Sequence, residues 1–272
     1  MNEALVAFAG QLRKIRRAVA ICLVGGSVAC GSGAAANVQN GNGTGVSNNN
    51  MAVSKSSAVR SESVSAQVSG GEASRAVATR APVVLFFGTS LTAGYGLNPD
   101  QAFPALIEEK AQAEGMPIKA VNAGLSGETT AGAVRRIDWV LRTPADLVVI
   151  EAGANDALRG LSTTAAKANL ERLVAAVHQR QPSAKIALIQ MEAPPNYGVA
   201  YTSSFRRIYT DVAAKEGLPL LPFLLTGVAG IPRLNQADGV HPNVSGEKIV
   251  ADNIWKSLKP LVAQLDRGAK SG

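Results

Sequence analysis

The stretch VVLFFGTSLTAGYG, Val83–Gly96, indicates where a buried strand ends and a loop of small residues begins. Its apolar run stops at Gly88, and Ser90 follows two residues later. A serine in a strand-to-helix turn is most often a helix cap. This stretch alone therefore leaves two interpretations of Ser90: a capping residue, or a nucleophile at the end of a strand.

Outward from this stretch, short apolar runs alternate with longer amphipathic segments. The predicted strands are 82–87, 118–122, 146–152, 185–191 and a weaker 218–223, and the predicted helices are 103–114, 128–142, 163–180, 202–216 and 245–265. Apolar strands separated by helices predict a parallel sheet covered on both faces, in a doubly wound α/β domain. Ligands bind such sheets at the carboxyl ends of the strands, so the loops there are the candidate site.

The chain divides into three parts by composition. Residues 1–30 place four basic residues before an apolar run of 12, the order of a secretory signal, and this predicts an exported protein. Residues 31–80 contain no Phe, Trp, Tyr, Leu or Ile, which predicts a disordered tether. Residues 81–272 form the predicted domain.

The sequence around Cys30 is compatible with two kinds of processing of the leader. The sequence SVAC at Ser27–Cys30 resembles a bacterial lipoprotein site, with Cys30 as the lipid-bearing residue, although Ser27 replaces the usual Leu. The same small residues suit ordinary signal peptidase. The expected location is periplasmic or membrane-anchored, and less so freely secreted.

Charge and cysteine content exclude several function classes. The formal net charge is +7, but residues 1–80 hold 8 Lys and Arg against 3 Asp and Glu, while residues 81–272 hold 19 against 17. The domain is thus nearly balanced, and nucleic acid is not an expected partner. Because both cysteines lie in the leader and the domain has only two histidines, we expect no metal, cofactor or disulfide.

A nucleophilic serine needs a base, and two histidines are available. His178 ends a predicted helix and is interpreted as structural or exposed. His241 follows Asp238 by three residues in DGVHPN, so a tight turn at Gly239 could bring the carboxylate to the imidazole. The alternative for this hexapeptide is an Asx-type turn that caps the last helix.

Acyl transfer also requires donors for an oxyanion. The N–H groups of Ser90 and Gly124 and the side-chain amide of Asn155 would face one crevice if the first three strands are neighbours. Taken singly, Gly124 and Asn155 are equally interpretable as turn residues.

Together the four loops resemble the blocks of the SGNH, or GDSL-type, hydrolases. The resemblance rests on GTSL, NAGLSGET, GAND and DGVHPN in this order, and it covers essentially residues 82–263. It is strongest toward the bacterial thioesterase I, lysophospholipase and arylesterase group. It implies a flavodoxin-like three-layer α/β/α fold with a five-stranded parallel sheet.

The resemblance also implies roles for individual residues. Ser90 would be the nucleophile, His241 the general base and acid, and Asp238 its orienting partner. Ser90, Gly124 and Asn155 would form the oxyanion hole, and the loop with Leu158 and Arg159 would border the acyl group. Tyr197 in PPNYG either lines the acyl pocket or braces a turn. Thr89 departs from the family's Asp, which removes a nearby carboxylate but no group that the mechanism requires.

The function so implied is a monomeric serine esterase that cleaves ester or thioester bonds of small acyl substrates. Two alternatives remain: a carbohydrate O-deacetylase or acyltransferase on the same scaffold, and an inactive, anchored binding lipoprotein.

Overall fold

Five parallel strands form a single sheet in a computed structural model, which describes residues 80–269 and the side chains of residues 80–265. The predicted signal segment and the predicted tether up to residue 79 lie outside the described residues. The sheet has the order β2-β1-β3-β4-β5. The strands are β1 (Val83–Gly88), β2 (Lys119–Gly124), β3 (Leu147–Ile150), β4 (Lys185–Ile189) and β5 (Leu220–Leu221).

The described chain contains seven α-helices, six between strands and one after β5. They are α1 (Ser90–Ala93), α2 (Phe103–Ala113), α3 (Thr130–Val140), α4 (Ala154–Arg159), α5 (Thr163–Arg180), α6 (Gly198–Glu216) and α7 (Val244–Ala269). Helix α5 packs between α3 and α6, while α2 packs against α7. Two helical layers thus enclose the sheet, and the predicted three-layer α/β/α fold is confirmed.

The apolar strands β1 and β3 supply the centre of the core. Every residue of Leu147–Ile150 is at most 1% exposed, because β3 lies between two strands and under helices on both faces. Strand β2 lies at one edge of the sheet and stays partly exposed. The strand order brings the ends of β1, β2 and β3 together, as the predicted site requires.

The sequence also predicts where helix residues lie: His178 is structural or exposed, Trp139 and Trp255 are packing residues, and Arg135 and Arg136 form a solvated helix face. His178 is exposed and Trp255 is buried, both as predicted. Trp139, near the end of α3, is 69% exposed, so that prediction is wrong.

Arg136 was predicted to lie on a solvated helix face with Arg135, and this is wrong for Arg136 alone. Its guanidinium binds both carboxylate oxygens of Glu128 and lies 4.4 Å from the ring centre of Phe87. It also donates to the carbonyls of Gly88 and Ala123. Arg136 therefore ties the loop after β2 to the end of β1.

Within the part of the chain described, no helix is long and apolar enough to cross a membrane.

Candidate active site

Ser90 is the first residue of α1, directly beyond the carboxyl end of β1. The N-cap position belongs to Thr89, which makes no side-chain cap bond, so Ser90 is not the helix cap. Helix α1 ends after one turn at Gly94, whose φ of 68° lies in the left-handed region that favours glycine. The short helix leaves the Ser90 hydroxyl facing the loops that follow the other strands.

Ser90, His241 and Asp238 form one hydrogen-bonded chain. The distance from Ser90 Oγ to His241 Nε2 is 2.9 Å, and that from His241 Nδ1 to Asp238 Oδ2 is 2.6 Å. With the proton on Nδ1, the imidazole donates to the carboxylate and accepts the hydroxyl proton of the serine. The side chains of His241 and Asp238 are 19% and 33% exposed, so solvent reaches the chain only partly.

Asp238 also forms the tight turn that was the alternative interpretation of DGVHPN. Its Oδ1 accepts hydrogen bonds from the backbone N–H groups of Val240 and His241, while Oδ2 binds the imidazole. Burial opposes ionisation, but these hydrogen bonds outweigh it and hold the pKa of the Asp238 carboxyl below its ordinary value. Asp238 therefore fits both interpretations of DGVHPN, because Oδ1 forms the turn and Oδ2 binds the imidazole.

Gln236 joins the histidine loop to the serine loop, and sequence reasoning did not identify it. Its Nε2 donates to the carbonyls of Tyr95 and Pro242, at 2.6 and 2.9 Å, and its N–H donates to the carbonyl of His241. A Cβ at Gly96 would collide with this amide. Gln236 therefore fixes the spacing between the two loops that carry Ser90 and His241.

Glu151 is a second residue that the sequence analysis missed. It follows β3, is 1% exposed, and accepts hydrogen bonds from the N–H and hydroxyl of Thr89 and from the hydroxyl of Thr92. Burial raises the pKa of the Glu151 carboxyl, although the threonine bonds oppose that rise. The one available signal was an acidic residue at the end of the apolar run LVVIEA.

The contact with Glu151 changes the interpretation of Thr89, which stands where the family has Asp. The sequence suggested that Thr89 removes a carboxylate from beside the serine. In the structure a carboxylate is present there, supplied by Glu151 across from β3, and Thr89 is its donor. A Cβ on Gly88 would collide with Thr92 and lie 2.8 Å from Glu151 Oε2, so the glycine permits this close approach.

Two of the three predicted oxyanion donors have an N–H with no acceptor among the described residues. Ser90 occupies the first position of α1, where helix geometry provides no intrahelical acceptor for its N–H. Asn155, in the first turn of α4, donates one amide N–H to the carbonyl of Glu128 at 3.0 Å. That bond orients the amide and leaves its second N–H without an acceptor in the described structure.

Gly124, the third predicted donor, is placed differently. Its N–H donates to Asn122 Oδ1 at 3.0 Å. A Cβ here would overlap the backbone N of Ala93 and lie 2.8 Å from the carbonyl oxygen of Thr89. Gly124 therefore allows β2 to pack against α1, and its N–H is already bonded, which speaks against the predicted role.

Gly127 offers an alternative donor three residues further along the same loop. Its N–H has no hydrogen-bond partner in the described part of the chain, and its φ of 77° is in the left-handed region. The next residue, Glu128, is the one whose carbonyl holds Asn155.

An apolar cavity of about 330 Å³ is lined by the sequence neighbours of Ser90, Asn155 and His241. These neighbours are Leu91, Ala154 and Val240, and the three site residues themselves are not part of the lining. Its lining includes Leu91, Ala154, Leu158, Met191, Leu225 and Val240. A cavity of this size and character suits a small apolar group.

The predicted substrate residues fall into two groups. Leu158 lines the cavity. Arg159 donates to the carbonyl of Gly127, and the Tyr197 hydroxyl donates to the carbonyl of Leu158. Neither Arg159 nor Tyr197 lies on the cavity wall. Both brace the loop around α4, which agrees with the bracing interpretation of Tyr197 and not with substrate contact.

This fold and site define a class of protein, the serine hydrolases that cleave ester bonds: a parallel α/β sheet carries a hydrogen-bonded serine, histidine and aspartate beside an apolar cavity. The model of the GDSL-like Lipase/Acylhydrolase family matches residues 86–249, more than half of the chain. The chain belongs to this family.

Individual relatives and solved structures agree. Esterase TesA of Pseudomonas aeruginosa is 40% identical over 184 residues, which cover 67% of this chain and 90% of that protein. The Escherichia coli K12 protein named Thioesterase 1/protease 1/lysophospholipase L1 is 35% identical over 186 residues, covering 68% and 87%. An arylesterase of Vibrio mimicus is 32% identical over 177 residues, covering 64% and 87%.

Among solved structures, a crystal structure of TesA matches with a TM-score of 0.62 and 38% identity, covering 66% of this chain and 99% of that one. The esterase EstA from Pseudoalteromonas sp. matches with a TM-score of 0.63 and 34% identity, covering 67% and 99%. The resemblance to SGNH hydrolases and the expected esterase class are confirmed.

Proposed function

We propose that Ser90 is the nucleophile, His241 the general base and acid, and Asp238 the residue that orients the imidazole. The observation that carries this proposal is the 2.9 Å contact between Ser90 Oγ and His241 Nε2, at the end of a chain that leads to the Asp238 carboxylate. The protein then hydrolyses carboxylic ester or thioester bonds of small acyl substrates through an acyl-enzyme.

Acylation follows from the position of each atom. Ser90 Oγ attacks the acyl carbon while its proton passes to His241 Nε2, and the Asp238 carboxylate stabilises the imidazolium. The proton on Nε2 then passes to the leaving oxygen or sulfur as the bond to the acyl carbon breaks. The products of this step are an acyl ester on Ser90 and a free alcohol or thiol.

Deacylation reverses the roles. His241 Nε2 takes a proton from a water molecule, whose oxygen attacks the acyl carbon. The same proton returns to Ser90 Oγ when the acyl-serine bond breaks. The site thereby regains its starting protonation state, and the chain's own residues suffice for every proton transfer.

The oxyanion formed in each step needs donors beside Ser90. We assign this role to the N–H of Ser90, the second amide N–H of Asn155 and the N–H of Gly127. Gly127 replaces the Gly124 of the sequence prediction, because the Gly124 N–H already has an acceptor in Asn122.

We propose medium-length acyl chains as the preferred acyl group. The apolar cavity beside Ser90 has room for more than an acetyl group. Relatives named esterase, thioesterase and arylesterase support ester and thioester cleavage over the deacetylase, acyltransferase and binding-protein alternatives.

Hydrolysis of p-nitrophenyl esters from acetate to palmitate tests the proposal, with Ser90→Ala beside the wild type. We expect the variant to lose at least about 10³-fold in kcat. Equal rates in the two proteins would overturn the assignment of Ser90, and a maximum at acetate would favour the deacetylase alternative. Labelling by a fluorophosphonate, which requires an activated serine, separates an inactive protein from a wrong substrate.

We further propose that the protein is exported and that Cys30 carries a lipid. The support is the basic-then-apolar order of residues 1–30 and the SVAC site, all outside the described structure. Metabolic labelling with a fatty acid checks this, since Cys30→Ala should abolish labelling. If the exported variant is labelled as strongly as the wild type, or if the wild type itself carries no label, the proposal for Cys30 fails. Ordinary signal cleavage would then remain as the interpretation of the leader.

A further inference from the structure

The wall of the apolar cavity contains one ion pair, Glu192 with Arg206. Glu192 Oε2 accepts from Arg206 Nε and Nη2, at 3.0 and 2.7 Å, and Oε1 accepts from Gln190 Nε2 at 2.9 Å. The Glu192 side chain is only 20% exposed, whereas that of Arg206 is 61% exposed. The carboxylate is therefore a fixed polar point on a mostly apolar surface.

The sheet order places the strands that lead to Ser90 and to Glu192 two positions apart, which sets the scale of their separation. Ser90 follows β1, Glu192 follows β4, and β3 lies between these strands. Two strand spacings amount to about 10 Å. Carbon–carbon bonds of about 1.5 Å at tetrahedral angles advance an extended chain by about 1.25 Å each, so an acyl chain of about eight carbons spans that distance.

We propose that the Glu192–Arg206 pair sets the upper limit of acyl-chain length, at about eight carbons. This inference rests on the proposed function of the site. Both oxygens of the Glu192 carboxylate are already hydrogen-bonded, so a longer chain displaces water from the ion pair and provides no polar group in exchange. Desolvating a charged pair is unfavourable, and additional methylenes therefore gain little or lose affinity.

The test replaces both charges by apolar side chains of similar length, in Glu192→Leu/Arg206→Met. The measurement is the ratio of kcat/KM for p-nitrophenyl laurate to that for the hexanoate. We expect the ratio to rise about tenfold in the double variant, since single methylenes in apolar pockets are worth about that factor. The ratio compares two substrates on the same protein, so an effect of the substitutions on the reaction at Ser90 itself cancels.

Arg207→Met is the matched control. Arg207 lies next to Arg206 on α6, is exposed and is not on the cavity wall. Among the described residues its side chain donates only to Ser204. Its ratio should equal that of the wild type. An unchanged ratio in the double variant, with normal hexanoate turnover, would overturn the inference.

Failure of the proposed function gives a different result: hexanoate hydrolysis would then be independent of Ser90. If the double variant loses hexanoate activity as well, the ratio is read from Glu192→Gln, which keeps the size of the side chain. Removal of the negative charge alone should raise the ratio by a few-fold, and a ratio at or below that of the wild type would count against the inference.

Discussion

His241 is held by hydrogen bonds at both ring nitrogens and by an aromatic contact on its face. The ring of Tyr95 lies 4.6 Å from the imidazole, centre to centre, at an interplanar angle of 41°. Tyr95 itself is 51% exposed. We expect an aromatic face in this position to stabilise the imidazolium that the proposed mechanism forms.

Replacing Tyr95 by Leu should therefore lower kcat/KM about three- to fivefold. Tyr95→Phe keeps the ring and should stay near the wild type in p-nitrophenyl ester kinetics. Equal losses in the Phe and Leu variants would point to the hydroxyl or to loop packing instead.

The three residues proposed to react were named from the sequence and lie in one hydrogen-bonded chain, whereas the residues that position them were not predictable. Ser90, His241 and Asp238 stand in short motifs whose chemistry requires them in this order. Gln236 and Glu151 act through contacts between loops far apart in the chain, 141 residues for Gln236 and Tyr95. Such partners follow from the strand order, which single motifs do not contain.

At the scale of elements, Gly124 determines how closely β2 approaches α1. We expect Gly124→Ala to displace the backbone of Thr89 and Ala93 and so to shift Ser90, because a methyl group there overlaps both. The cost should be about 1–3 kcal/mol of unfolding free energy, with a loss of kcat larger than that seen for an equally destabilised control.

Gly115→Ala is that control. Gly115 follows the end of α2 with a φ of 70°, and a Cβ would meet nothing within 4 Å. The substitution is strained by about 1–2 kcal/mol but lies away from Ser90. Chemical denaturation and p-nitrophenyl ester kinetics on both variants check the prediction, and wild-type kcat in Gly124→Ala would contradict it.

Long elements were predictable where apolar periodicity is strong, and short ones were not. Helix α5 spans Thr163–Arg180, the predicted bounds, since Ser162 caps its start and Pro182 follows its end. Helix α6 starts at Gly198, four residues before its predicted start, because a 3₁₀ turn at Pro195–Tyr197 leads into it. The short α1 and α4 carry no periodic signal, and their contacts with neighbouring loops fix them.

At the scale of the whole molecule, one buried carboxyl links two distant helices. Glu247, in the first turn of α7, is 1% exposed and accepts a hydrogen bond from the N–H of Phe103 at the start of α2. Burial raises the pKa of Glu247 from 4.5 to about 8, and the bond from Phe103 only partly opposes this. The folded protein thus holds a proton at neutral pH that the unfolded chain has released.

This difference in bound protons makes the unfolding free energy depend on pH. Between pH 4.5 and about 8 the unfolded chain has lost this proton and the folded protein retains it, so the contribution of Glu247 to the unfolding free energy falls as pH rises. Glu247→Gln removes the titration. We expect the stability difference between variant and wild type to change by as much as about 4 kcal/mol between pH 5 and pH 9, in favour of the variant at high pH.

Urea unfolding at the two pH values measures this difference. Glu109→Gln is the matched control, because Glu109 lies on α2 and is exposed. That control should follow the wild type at both pH values. If the Glu247 variant did so too, the carboxyl would titrate alike in the folded and unfolded states.

Both ends of the described domain lie near the amino ends of the strands, on the side opposite the loops that carry Ser90 and His241. Arg80 binds Asp146 just before β3, and Lys185 at the start of β4 binds Gln264 near the end of α7. Helix α7 therefore runs from the histidine loop back across the whole domain. If the domain is attached to a bead or an electrode through either of these ends, this side faces the support. The mouth of the cavity then faces the solution. Immobilised enzyme should then turn over ester as fast as enzyme free in solution.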